Sequence, residues 1–245
     1  MEPTNLIVLT PTYRGPTKEW RETCQRLFSR PEIRMMGIVD EFGNADVADA
    51  RNTVATKAYE MIARLEAGGI STHAVLWLDD DMAATADVVV RHLAALREAA
   101  ALHRVHALGG WYVQRGDMHR LAALRGDGPT RELTLDGRPY PSVPLWTGLG
   151  CLAMTAAEFV RMVEAAPLGE PNEHGFRKRL VTAPYRKRLT DSWRWVPEDF
   201  AWCELVEGGV WSAPPEVRYG HVCSVNVTPD EASVDAILSA EETTA

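Results

Sequence analysis

The chain has 245 residues, of which 46% are hydrophobic and 24% charged, and it carries a formal net charge of −8. These values fit one large α/β domain or two small ones and exclude a fibrous or disordered chain. The negative charge argues against bulk attraction to nucleic acid or an anionic membrane, and no apolar run reaches the ~20 residues of a membrane span.

Residues 1–12 lack a basic n-region, and their apolar run is too short for a signal peptide, which predicts a cytoplasmic protein. The four cysteines, Cys24, Cys151, Cys203 and Cys223, have neither metal-type nor redox-type spacing and read as reduced core residues. Residues 6–9, Leu-Ile-Val-Leu, form a short buried strand that ends at Thr10-Pro11-Thr12-Tyr13-Arg14. Pro11 is expected to break strand pairing and turn the chain away. Thr17 caps a first helix with Trp20, Cys24, Leu27 and Phe28 on its apolar face. A second strand covers 35–39 and runs into Asp40. The second helix carries Val47, Val54, Ala58, Met61, Ile62 and Leu65 and stops at Gly68-Gly69. A third strand, a third helix near 85–102 and a fourth strand at 105–108 complete a βαβαβαβ series, which implies parallel strands with helices on both faces.

Beyond Gly109-Gly110-Trp111-Tyr112 the pattern breaks. Residues 113–145 read as a long irregular insertion with a hairpin turn at Leu135-Asp136-Gly137-Arg138. Gly148 and Gly150 precede an apolar strand, and Thr155 with Glu158 forms a capping box. Residues 169–195 are loop-like and basic. Pro197-Glu198-Asp199 opens a short helix, and short strands at 210–212 and near Gly220-His221 follow. Thr228 with Glu231 forms a second capping box, with Pro229 at the first helical position, which sets off a C-terminal helix and tail over 228–245.

Residues 75–82, Val-Leu-Trp-Leu-Asp-Asp-Asp-Met, carry the chemistry. A buried strand stops at three carboxylates, and three such charges together need water or a strong cation among them. Hard divalent cations take oxygen ligands, and Mg²⁺ is commonly held by one or two carboxylates plus substrate phosphates. Ligands in open α/β sheets bind outside the carboxyl ends of the strands, where these acids fall. A solvated turn or an acidic helix start is the plainer alternative.

Residues 9–13 (Leu-Thr-Pro-Thr-Tyr), Asp49-Ala50-Arg51-Asn52, the DxD of Asp79 and Asp81, Gly148-Leu149-Gly150, Glu198-Asp199 and Gly220-His221 follow in order. This series resembles the family 2-like glycosyltransferases of the GT-A fold over most of the chain. The resemblance implies a single Rossmann-like α/β domain over 1–227, with a mostly parallel sheet flanked by helices. Its nucleotide-sugar half would cover about 1–110 and its acceptor half about 111–227. It further implies a nucleotide-diphosphate-sugar donor, a UDP-sugar first among them, a divalent Mn²⁺ or Mg²⁺, and transfer to an acceptor hydroxyl, with inversion favoured over retention. On this reading Asp81 ligates the metal, Asp79 meets it through water or contacts the donor ribose, and Asp80 supports them. His221 closes the metal site, and Asp199 is the base beside Glu198. Acids at a helix start are also ordinary dipole partners, so one of that pair has a structural alternative.

Thr10, Pro11, Thr12, Tyr13, Arg14, Arg51 and Asn52 are expected to hold the nucleotide, with Tyr13 stacking on the base and Asp40 accepting from base or ribose. Arg51 reaches a phosphate or forms a structural ion pair. Gly148 and Gly150 let backbone approach the sugar. Trp111 is either a sugar-stacking wall or core. Arg177, Lys178, Arg186 and Lys187 mark the acceptor side, as a phosphate-binding cluster or as a solvated loop. Two acceptor classes stay open. One is a hydroxymethylated DNA base, as in some bacteriophage glycosyltransferases of similar compactness, which would place the protein in a host cytoplasm. The other is a saccharide, lipid or small molecule. A sugar nucleotidyltransferase and an inactive binding module on the same fold are the competing classes.

Overall fold

In a computed structural model the described residues are 2–12, 15–44, 46–114, 117–188, 193–222, 226–227 and 231–239. The first half contains β1 (Thr4–Thr12), α1 (Lys18–Leu27), β2 (Ile33–Phe42), α2 (Val47–Ala67), β3 (Ala74–Leu78), β4 (Met82–Ala83), α3 (Ala86–His103) and β5 (Ala107–Gly109). Short strands fill the region read as an irregular insertion: β6 (Val113–Gln114), β7 (Asp117–Leu121), β8 (Ala123–Arg125), β9 (Arg131–Leu135), β10 (Arg138–Ser142) and β11 (Pro144–Thr147). Then come β12 (Cys151–Thr155), α4 (Ala156–Ala165), β13 (Tyr185–Arg188), β14 (Trp193–Val196), α5 (Glu198–Leu205), β15 (Val210–Ser212), β16 (Gly220–Val222), β17 (Asn226–Val227) and α6 (Glu231–Ser239).

Eight strands form one mixed sheet in the order β2-β1-β3-β12-β5-β15-β11-β8. β1 pairs in parallel with β2 and β3, as the βαβ series predicts. β12 is the departure. It lies antiparallel between β3 and β5, so the third and fourth strands of that series never touch. β15 joins β5 in parallel and β11 pairs antiparallel with β15 and β8. β1, β2, β3, β5, β15 and β8 therefore share one direction, and β12 and β11 oppose it.

Alternation along the central strands builds two cores. Leu6, Val8, Leu76 and Leu78 face α1 and α3, whose Trp20, Cys24, Leu27, Val89, Leu93 and Leu96 cover them. Ile7, Leu9, Val75 and Trp77 face α2, α4 and α5 through Val54, Ile62, Phe159 and Trp202. The continuous apolar run of β3 is thus buried on both faces. Thr17, Thr85 and Thr155 cap α1, α3 and α4 with their side-chain oxygens. The β9–β10 hairpin turns at Asp136 (φ 53°) and Gly137 (φ 71°), the left-handed pair that an Asp-Gly turn supplies. Pro11 does not end β1. It pairs with Glu41 of β2, at a point where β3 has already left the other side after Leu9, so the strand has a single partner there. α6 buries Val234 in the second core, and Arg125 reaches the carbonyls of Ile237 and Leu238 near its end. The second capping box, at Thr228 and Pro229, lies outside the described residues. No described helix is long and apolar enough to cross a membrane.

Candidate functional site

A cleft of about 470 Å³ opens at the carboxyl ends of β1 and β3. Pro11, Thr12, Arg51, Asp79, Asp80, Asp81, Gly148, Glu198, Asp199 and His221 line it, so residues far apart in the chain meet as the sequence predicts.

The floor is the turn after β3. Thr17 anchors it from α1, donating to the Asp80 carbonyl from its backbone N–H (2.8 Å) and its hydroxyl (3.0 Å). The Thr12 hydroxyl donates to the Asp80 carboxylate. The chain then pairs β4 with β16, Met82 opposite His221, which sets His221 Nε2 3.1 Å from Asp81 Oδ2. His221 Nδ1 lies 2.9 Å from the Val113 carbonyl, which only accepts, so Nδ1 carries a proton. In the neutral ring the Nε2 lone pair then faces a carboxylate oxygen. Two acceptors aimed at each other need a cation or a proton between them. Histidine metal ligands are held in this way, with the second nitrogen on a backbone carbonyl.

α2 and α5 supply the wall. Trp202 of α5 is fully buried, edge-on to Trp77 of β3 at 5.1 Å, and this turns the first residues of the helix toward the cleft. Arg51 is 5% exposed and binds Glu198 Oε1 at 2.8 Å and Asp79 Oδ2 at 3.5 Å. Burial works against its charge, but Asp79, Asp199 and Glu198 outweigh that and hold it protonated. Burial pushes the Asp79 carboxyl above its usual range, against the pull of Arg51, and the neighbouring Asp80 and Asp199 charges add to the rise. Asp79 Oδ1 is buried with no hydrogen-bond partner. Asp199 is raised as well, first by burial and then by Glu198, while Arg51 pulls it down.

Among the described residues, the cleft therefore holds five carboxylates, Asp79, Asp80, Asp81, Glu198 and Asp199, against one guanidinium and one imidazole. Among the described residues no three His, Cys, Asp or Glu side chains converge closely enough to hold a metal unaided. Asp81 and His221 could supply two ligands to a Mg²⁺- or Mn²⁺-type ion, which would take the remainder from phosphates and water.

Several residues expected at the nucleotide sit elsewhere. The Thr10 hydroxyl is buried and donates to the Leu78 carbonyl at 2.9 Å, tying β1 to β3. Asn52 is buried, and its amide makes both of its bonds to Thr182, to the carbonyl (2.8 Å) and from the N–H (2.9 Å). Asp40 is exposed on β2 and lies outside the cleft lining. Trp111 is 0% exposed and donates to the Ala213 carbonyl at 3.1 Å, so it is core rather than a stacking wall. Gly150 is explained by Tyr112, whose ring atoms lie 3.0–3.1 Å from where a Cβ would stand. Lys178 forms an ion pair with Asp49, and Arg177 is exposed. Arg186 and Lys187 lie in β13, with their side chains outside the described set; Tyr13 and Arg14 are also outside it.

Tyr112 and Phe200 line the cleft, and sequence reasoning missed both. Tyr112 takes the Gly150 N–H at 3.3 Å and stands edge-on to His221 at 6.0 Å. Burial keeps its phenol neutral, pushing the hydroxyl well above its ordinary range. The signal was available, since consecutive extended residues face opposite ways and a buried Trp111 turns its neighbour toward the cleft.

No protein-family model and no curated protein matches the chain. Among solved structures it is similar to A197 from STIV, with a TM-score of 0.39 and 13% identity over 70% of this chain and 73% of that one. A likeness so slight bears on neither fold nor function.

Proposed function

We propose that this chain is a metal-dependent glycosyltransferase of the GT-A kind, moving a sugar from a nucleotide-diphosphate-sugar to an acceptor hydroxyl with inversion. The observation that carries the reading is the convergence of Asp79, Asp81, His221, Arg51 and Asp199 in one cleft at the strand ends, with carboxylates in excess. A bound Mn²⁺ or Mg²⁺ would supply Lewis-acid stabilisation of the charge growing on the departing diphosphate. Asp81 and His221 would hold it, with Asp79 at its side.

Asp199 is the base. Glu198 is occupied by Arg51, whereas Asp199 uses Oδ1 to accept the Phe200 N–H at 2.9 Å and presents Oδ2 beside Gly148. Its raised affinity for a proton suits general-base work on a hydroxyl. As the acceptor oxygen bonds to the anomeric carbon, its proton passes to Asp199. The bond from that carbon to the diphosphate breaks, and its electron pair leaves with the diphosphate. Arg51 stays fixed throughout, holding Glu198 and Asp79 apart from the reacting carbon.

The test is incubation with Mn²⁺ and a panel of nucleotide sugars. Slow release of free sugar supports the reading. Pyrophosphate release from a nucleoside triphosphate and a sugar phosphate would replace it with a nucleotidyltransferase, and silence with every donor would leave a binding module.

A further inference from the structure

Resting on the glycosyltransferase reading, we propose that Thr182 is a positioning residue for Asp199: clamped by Asn52 of α2, it fixes the peptide group that joins Glu198 to Asp199 and so sets the aim of the base.

Thr182 is 3% exposed, and its backbone and hydroxyl all have fixed partners. Its N–H donates to Asn52 Oδ1 at 2.9 Å, and its carbonyl accepts from Asn52 Nδ2 at 2.8 Å. Its hydroxyl donates to the Glu198 carbonyl, which only accepts. That carbonyl and the Asp199 N–H belong to one planar peptide group. Holding the plane therefore fixes where the Asp199 Cα stands. The Phe200 N–H, 2.9 Å from Asp199 Oδ1, then orients the carboxylate, and Oδ2 is left beside Gly148.

The start of α5 needs such a hold from outside. α1, α3 and α4 begin at threonines whose side chains bond their own first turn, but Pro197 occupies that place in α5 and makes no side-chain cap. Two successive residues of α2 act on Glu198 instead. Arg51 binds its Oε1 at 2.8 Å, and Asn52 reaches its carbonyl through Thr182. A general base must stand within hydrogen-bond reach of the proton it takes, and a displacement of ~1 Å can cost about 10²-fold in rate. Thr56 offers a matched comparison. It is also 3% exposed, and its hydroxyl donates to the Asn52 carbonyl at 2.8 Å and accepts the Arg179 N–H at 2.7 Å. It ties the same segment to the same helix, but among the described residues it makes no bond to α5.

The experiment is steady-state hydrolysis of UDP-glucose, UDP-galactose and UDP-N-acetylglucosamine by the full chain with Mn²⁺. Thr182→Val should lower kcat about tenfold and leave KM within about twofold. Thr182→Ser should restore kcat, and Thr56→Val should keep it. Added to Asp199→Asn, Thr182→Val should cost no further turnover, because the two act through one group. Thermal melting checks the fold of each variant, and Thr182→Ala makes the same test if the valine variant does not fold. Unchanged kcat in Thr182→Val overturns the proposal. So does an equal loss in Thr56→Val, or a full additional loss in the Asp199→Asn background. If the wild type releases no sugar from any donor, or Asp199→Asn turns over as fast as wild type, the reading of the site falls and the proposal with it. If the wild type is active, Asp199→Asn is slow and Thr182→Val is normal, the proposal alone falls.

Discussion

Acidification should destabilise this protein through one core histidine. His92 sits on the inner face of α3 and is 0% exposed. Its Nε2 lies 3.0 Å from the Leu108 carbonyl, which only accepts, so Nε2 carries the proton. Its Nδ1, 2.9 Å from the Tyr219 hydroxyl, accepts in return. Both nitrogens are satisfied in the neutral ring, and a second proton would force the Tyr219 hydroxyl to turn from donor to acceptor around a buried charge. Burial accordingly lowers the His92 pKa from 6.5 to about 4, although the Leu108 carbonyl opposes the shift. The unfolded chain therefore takes up a proton below about pH 6.5 that the native protein refuses, and stability falls as pH drops. The loss levels off below about pH 4, once both states are protonated. A difference of about 2.5 units at ~1.36 kcal/mol each is on the order of 3 kcal/mol, of which about 2 kcal/mol is lost by pH 5. Urea unfolding at pH 7.5 and pH 5, in wild type and in His92→Gln, measures it. Glutamine keeps a donor and an acceptor but does not titrate, so its stability should fall by about 2 kcal/mol less than that of wild type. Parallel pH dependences in the two proteins would refute the reasoning.

Three further outcomes follow from the cleft and its supports. Asp199→Asn should leave donor affinity within a few-fold and cut turnover by about 10²-fold; a full loss with Glu198→Gln and none with Asp199→Asn, in steady-state kinetics, would reassign the base. Gly148→Ala places a Cβ 2.0 Å from the buried Tyr112 hydroxyl and 3.3 Å from Asp199 Oδ2. It should lower stability by about 1–3 kcal/mol and reduce donor hydrolysis, and an unchanged melting temperature would contradict that packing. Asn52→Ala leaves the Thr182 N–H and carbonyl without their partner. A cost of about 2 kcal/mol is expected in denaturant titration, and one below ~0.5 kcal/mol would show that water replaces the amide.

What the sequence revealed follows the range of each signal. Apolar strand runs, threonine caps and the Asp-Gly turn are local, and the structure reproduces them at Leu6 to Leu9, Thr17, Thr155 and Asp136-Gly137. Asp79, Asp81, Glu198 and His221, which the resemblance grouped, line one cleft, because strand ends and helix starts gather at one edge of an α/β sheet. Pairing partners are not local. Nothing within residues 151–155 says that β12 will lie antiparallel between β3 and β5. Asn52 shows the same limit from the other side. Its place beside Arg51 suggested a shared ligand, but one helical step turns a neighbour by about 100°, so Arg51 reaches the cleft while Asn52 holds residue 182. The basic run at 177–179 left a phosphate surface and a solvated loop both open, because the partners of Lys178 and Arg179, Asp49 and the end of α4, are remote in sequence.

The central claim is that Asp81 and His221 complete a cation site for a nucleotide diphosphate. Isothermal titration of UDP, with and without Mn²⁺, into wild type and Asp81→Asn tests it most directly. Removing one of several like charges at a strand end should leave the fold intact, which thermal melting checks. The account predicts Mn²⁺-dependent UDP binding in wild type that weakens at least a hundredfold in Asp81→Asn, on the order of 2.7 kcal/mol. UDP affinity that is the same in both proteins, or the same with and without Mn²⁺, would contradict it.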